Sequence, residues 1–230
     1  MAGRTGRTIL VTVLVLVVLL IAADRIGAYA AERTAGDTIQ SSEHLGNRPD
    51  VDVSGFPFLT QLAAGDFNKI TVTARDVPVG EQVHLLQISQ IKVVLHNVNV
   101  TRDFSRVSAA TATATATVSF ADLGRTLGIE VGYAGDGRIK ATKQVTVLGT
   151  TVDASVTTRP ALVNGALGFT GTAIDNAGRL GGTVASALNQ AFDLTVPLQG
   201  IPFKIRVRSV RVDASGVRID LTGSNLTYSN

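Results

Sequence analysis

The sequence predicts an α+β protein: one N-terminal membrane helix, then a strongly curved, mostly antiparallel sheet. That sheet is accompanied by a long N-terminal helix and by an amphipathic helix near residues 183–193. Three observations carry this. Thr8 to Ala23 is an uninterrupted apolar run without a charge, behind Arg4 and Arg7. Beyond it the chain alternates apolar and polar residues with a period of two in segment after segment rich in Val and Thr, the pattern of half-buried strands. Only Gly182 to Phe192 breaks that rhythm: Val184, Ala187, Leu188, Ala191 and Phe192 recur at helical spacing.

The apolar run behind a basic head is an export signal. At 1.5 Å per residue it covers about 24 Å, short of the roughly 30 Å hydrocarbon core. Two readings compete. As a retained signal-anchor, residues 1–8 are a cytoplasmic head, 9–23 the membrane helix, 24–46 a helical stalk or the first helix of the domain, and 47–230 the β-rich domain outside the cytoplasm. As a signal peptide, the chain is cut after Ala28-Tyr29-Ala30, a small-x-small site, and the product is secreted or periplasmic. Asp24 and Arg25 directly after the run, and the helical character that continues to about Ala35, favour the anchor.

Charge and cysteine content narrow the function. The net charge is +3, and two of the arginines belong to the head. The folded part is therefore nearly balanced, which excludes a dedicated nucleic-acid binder with a concentrated basic surface. The chain has no cysteine, so it has no disulfides, thiol nucleophile, Cys-ligated metal or lipid-modified cysteine.

The elements follow in order. Gly46 to Asp50 breaks the stalk, and Val51 to Ser54 opens a strand closed by Gly55. Lys69 to Val77 alternates with Ile70, Val72 and Ala74 on one face. Leu85 to Val100 is a long strand whose apolar parity switches near Val93-Val94, which predicts a bulge. Ala110, Ala112, Ala114, Ala116, Val118 and Phe120 alternate with Thr and Ser and predict a strand with an unusually small apolar face. Gly135-Asp136-Gly137 is a turn between Glu130–Ala134 and Arg138–Leu148. Thr150 to Thr158 is a strand that stops at Pro160. Asn164-Gly165 signals a two-residue hairpin. Phe203, Ile205 and Val207 oppose Lys204, Arg206 and Arg208, and Val217, Ile219 and Leu221 form a last strand.

No catalytic constellation stands out. His44, His84 and His96 lack metal-ligand spacing, no G-x-S-x-G elbow occurs, and no phosphate loop or dinucleotide fingerprint is present. The reading is a non-enzyme with no cofactor and no metal. Gly55 to Leu62, GFPFLTQL, is more informative, because Pro57 suits the start of a short helix that places Phe58, Leu59 and Leu62 on one face. That face is either a core plug or the lip of an apolar cavity that meets acyl chains or a membrane surface. The arginine row is either a solvated face or a phosphate contact.

GFPFLTQLAAGDFNKITVTARDVPV (55–79) resembles the signature of the actinobacterial LmeA-like phospholipid-binding proteins, formerly a domain of unknown function. VVLHNVNV (93–100), ATATVSFADL (114–123), YAGDGRIK (133–140) and FDLTVPLQGIPFKIRV (192–207) follow in the same order. The resemblance implies an envelope protein that binds phospholipid, with a fold similar to tubular lipid-binding (TULIP-like) domains. In those, a curved sheet wraps a long helix and leaves an apolar groove. It also implies a role in envelope lipid or lipoglycan biogenesis, and lipid transport as one form of it. The candidate lipid contacts are Phe56, Phe58, Leu59, Leu62, Leu188, Phe192 and Phe203, with Arg206 and Arg208 for the headgroup. The expected partners are phospholipid and membrane. The competing function is a membrane-tethered scaffold that binds envelope enzymes or glycans without a lipid ligand.

Overall fold

The structure is a computed structural model, and it describes residues 2–79, 86–103, 105–147, 150–163, 166–175, 196–197 and 206–229. It is a mixed α+β fold with an N-terminal long apolar helix, a large antiparallel sheet and a second, smaller sheet. The helices are α1 (Ala2–Ser42), α2 (Phe58–Ala64) and α3 (Phe120–Leu127). The larger sheet contains β1 (Asp50–Ser54), β2 (Asp66–Val79), β3 (Leu86–Val100), β4 (Arg106–Val118), β10 (Arg206–Asp213) and β11 (Gly216–Ser229), in the order β1-β2-β3-β4-β11-β10. The smaller contains β5 (Glu130–Tyr133), β6 (Ile139–Val147), β7 (Thr150–Val163), β8 (Ala166–Asp175) and β9 (Val196–Pro197), in chain order. The amphipathic helix expected near 183–193 lies outside the described residues.

The chain divides into two compact units. The first comprises Met1–Val72, Val94–Thr111 and Asn225–Asn230. Its core joins Ala28 of α1, Phe58 of α2, Phe67 of β2, Val98 of β3 and Ala109 of β4. The helix is continuous from the apolar run into this core: Asp24, Ala28 and Gly36 are buried at helical spacing, while Leu10 to Ala23 is exposed throughout. Glu32 reaches from α1 to the edge strand β1, where its Oε1 accepts from the Val53 amide at 2.9 Å. That bond ties the edge strand β1 to α1.

Gly65 closes α2 in the left-handed conformation (φ 74°) and locks it to β3, because the Val100 amide donates to the Gly65 carbonyl at 2.8 Å. A Cβ at Gly65 would fall on the Val100 carbonyl oxygen. Gly65→Ala is therefore expected to cost more than about 2 kcal/mol, the left-handed penalty plus the displaced backbone; thermal unfolding of the purified variant checks it.

The second unit comprises Thr73–Val93 and Ala112–Ser224. Its core joins Ile139 of β6 with Val212 of β10 and Val217 of β11, flanked by Phe120 and Leu123 of α3. The strands expected on either side of Asn164-Gly165 pair as an antiparallel β7–β8 ladder up to Val163↔Ala166, while Asn164 and Gly165 themselves lie outside the described residues. The Gly135-Asp136-Gly137 turn is there too, with all three residues at positive φ and Tyr133 paired to Ile139.

Several expectations need correction. Phe120 does not extend the Ala/Thr strand; it opens α3. Ser119 is the N-cap, and its side chain accepts from the Asp122 amide. This capping pattern, Ser-x-x-Asp, stops the strand at Val118. Within β4 the small apolar face is realised by Ala112, Ala116 and Val118, while Ala110 is exposed and Ala109 is buried instead. The β7 strand runs through Pro160 to Val163. Its pairing with β6 ends at Thr158, so the missing Pro160 N–H costs no bond on that side.

The parity switch of β3 falls at Asn97, a few residues beyond Val93-Val94. Asn97 sits at φ 50°, and His96 and Asn97 are both exposed. The same device occurs at Asp76 in β2 and Asn225 in β11, each left-handed and next to an exposed neighbour. Asn and Asp tolerate this conformation, and such irregularities bend a strand while exchanging its buried face.

Candidate functional site

The GFPFL segment of the first unit is built onto α1 by one buried carboxylate. Asp24 is 3% exposed. Its Oδ1 accepts from the Leu59 amide at 2.8 Å, and its Oδ2 accepts from Arg25 Nη2 at 2.6 Å. The first amides of α2 have no partner within their own helix, and Pro57 at the N-cap offers no side-chain bond. Asp24 supplies that cap from another element. Arg25 also donates to the Gly55 carbonyl at 3.3 Å, and its guanidinium lies 5.5 Å from the centre of the Phe56 ring. Gly27 leaves room for the contact, since a Cβ there would approach Leu59 Cδ2 to 3.2 Å.

This arrangement separates the candidate apolar residues. Phe58 is 1% exposed and packs on Phe67 with ring centroids 6.3 Å apart, so it is a core residue. Phe56, Leu59 and Leu62 are 62%, 44% and 40% exposed. The four do not share one face: Phe58 turns inward and the other three turn out. Leu188, Phe192 and Phe203 lie outside the described residues.

In the second unit Arg206 and Arg208 are exposed on β10, the edge of the larger sheet. A register shift between Val207 and Ser209 leaves Arg208 as the extra residue, so it has no cross-strand partner position. Neither arginine has an ion-pair partner among the described residues. Arg211 and Arg218 differ, being paired with Asp220 and Asp213 respectively. The Ser209 and Thr115 hydroxyls and the Arg211 guanidinium hold the Asp220 carboxyl below its ordinary range, against a burial effect that raises it.

The same unit has an open cleft of about 880 Å³ between α3 and strands β5, β6 and β7. Phe120, Ile129 and Val131 give it an apolar floor, and Arg125, Glu130 and Asp153 a charged rim. Arg125 is held by Asp122. The Asp122 carboxyl lies below its ordinary range, chiefly because the Ser119 hydroxyl donates to it, with Ser89 and Arg125 adding to the effect against burial. This cleft was not legible in the sequence, since α3 is concealed there by the preceding alternation. The Ser119-x-x-Asp122 spacing was the available signal. Among the described residues no group of three His, Asp or Glu is placed to hold a metal ion.

A family model described as LmeA-like phospholipid-binding matches residues 22–222. The chain belongs to that family. The match starts at Ala22, within the last turn of the apolar run, and takes in the Asp24–Leu59 bond, the α3 cleft and the β10 arginines. No curated protein and no solved structure matches the chain. Membership gives phospholipid binding as the family's activity, and one N-terminal helix is long and apolar enough to cross a membrane.

Proposed function

We propose that this chain is an extracytoplasmic, membrane-anchored phospholipid-binding protein of the cell envelope, with no catalytic step of its own. The family match over most of the chain carries the reading. The exposed Phe56, Leu59 and Leu62 receive the acyl chains; Phe58 holds that segment in place from within the core. In the second unit, as a contact separate from that segment, Arg206 and Arg208, exposed and without an ion-pair partner among the described residues, meet the phosphate of anionic lipid, for which the planar guanidinium fork is well shaped. Bound lipid is handed on in envelope lipid or lipoglycan biogenesis.

The packing of α1 supports the retained anchor. Cleavage after Ala30 would remove Asp24, the cap of α2, and Ala28, a member of the first unit's core. On this reading residues 24–30 are part of the domain. Arg4 and Arg7 keep the short head in the cytoplasm and place the domain outside.

Delipidated protein offered liposomes should recover phospholipid, read by extraction and mass spectrometry; recovery of none at any lipid composition would overturn the reading. Arg206→Ser with Arg208→Ser is expected to weaken uptake of anionic lipid about tenfold while leaving neutral lipid little changed. Equal loss for both lipids would remove the headgroup role.

A further inference from the structure

We infer that the α2 turn is a collar that completes the membrane span: Phe56, Leu59 and Ile26 lie in the interface of the leaflet from which α1 emerges. This rests on the retained anchor argued above. The occupant of the surface is the bilayer, whose lipids present the acyl chains that Phe56 and Leu59 receive.

The apolar run falls short of the hydrocarbon core by about 6 Å, roughly one helical turn. A short span draws its flanking residues toward the hydrocarbon or thins the bilayer around it. The turn of α1 that would be drawn in is Asp24 to Gly27, and it carries two charged residues. Both are neutralised by contacts. Asp24 is buried with its carboxylate on the Leu59 amide and the Arg25 guanidinium, and Arg25 also bonds the Gly55 carbonyl and lies against the Phe56 ring.

The same contacts bring apolar side chains to this height. Leu59 is tied by its own amide to Asp24, the first residue after the run, and the Phe56 ring lies against Arg25. Ile26 projects from the same turn of α1 and is 69% exposed. Leu62 follows Leu59 at i+3 and continues its face. One turn further, Tyr29 is 63% exposed, with its hydroxyl 3.4 Å from Arg33. Aromatic rings and arginines at the end of an apolar helix are the usual anchors of a membrane–water interface. Exposed to water these side chains would be apolar surface without a partner; in the interface their burial around α1 is favourable.

The chain has no tryptophan, so Phe56→Trp is a unique fluorophore that keeps an aromatic group at the site. The full-length variant is placed in nanodiscs of chain-brominated phospholipid, in a thin and a thick bilayer. Ser42→Trp, about 27 Å beyond Asp24 along α1, is the comparison. The collar predicts blue-shifted emission from the Phe56→Trp protein, quenched by bromine about twofold more in the thick bilayer than in the thin one. The Ser42→Trp protein should be unquenched in both. A lipid held only as a ligand quenches the Phe56→Trp protein alike in the two bilayers, and that result would overturn the collar while leaving phospholipid binding intact. No quenching of the Phe56→Trp protein, or equal quenching of the two variants, would overturn it too. Intact mass of the protein from its native membrane tests the anchor separately: a chain beginning near residue 31 removes the premise.

Discussion

Phe58→Asp is expected to leave no folded protein, whereas Phe56→Asp combined with Leu59→Asp is expected to keep the fold and lose most lipid uptake. The two outcomes differ because neighbouring residues of one short segment face opposite environments. Phe58 is fully enclosed by the first unit's core, and even truncation to alanine there should cost about 3–5 kcal/mol. An unpaired carboxylate at that place costs more, since nothing around it supplies a hydrogen bond. Phe56 and Leu59 are exposed, so aspartate at either stays hydrated in the free protein and disturbs only the surface that acyl chains meet. Circular dichroism and thermal unfolding report the fold; phospholipid recovered from liposomes reports uptake. A folded Phe58→Asp protein would contradict the packing. A folded Phe56→Asp/Leu59→Asp protein with undiminished uptake would remove this segment from the lipid path.

The second large effect concerns where the domain begins. A chain starting at residue 22 keeps the Asp24 cap, the Gly27 contact and Ala28; one starting at residue 31 loses all three. Losing a buried charge-assisted cap and part of the core should cost about 3–5 kcal/mol. For a domain of this size that lowers Tm by about 10 °C. Equal Tm for the two chains would show that residues 22–30 are only a tether. It would also reopen cleavage at Ala30 as compatible with a stable product.

Much of this architecture is legible in the residues alone. The uncharged run, the period-two alternation, the strands flanking Asn164-Gly165 and the Gly-Asp-Gly turn are local signals, and each recurs in the structure at its place. What escaped is tertiary. Nothing in the sequence near Asp24 says that its carboxylate caps a helix 35 residues away, because an N-cap is normally sought on the preceding residues, and Pro57 there gives none. The helical face drawn from Phe58, Leu59 and Leu62 treats them as equals, and only the approach of α1 and Phe67 decides that Phe58 goes in and the leucines out. Asp76, Asn97 and Asn225, at positive φ, shift strand faces at residues whose tolerance for that conformation is a permission rather than a signal. The α3 cleft depends on Ser119 ending a strand that its alternation would have continued.

The most direct test of phospholipid binding is native mass spectrometry of the chain from residue 22 to 230, purified from a host that supplies phospholipid. The expected spectrum contains a population heavier than the polypeptide by the mass of one phospholipid, released on activation and identified by extraction. A spectrum of bare polypeptide alone, unchanged after incubation with liposomes, would contradict phospholipid binding by this chain.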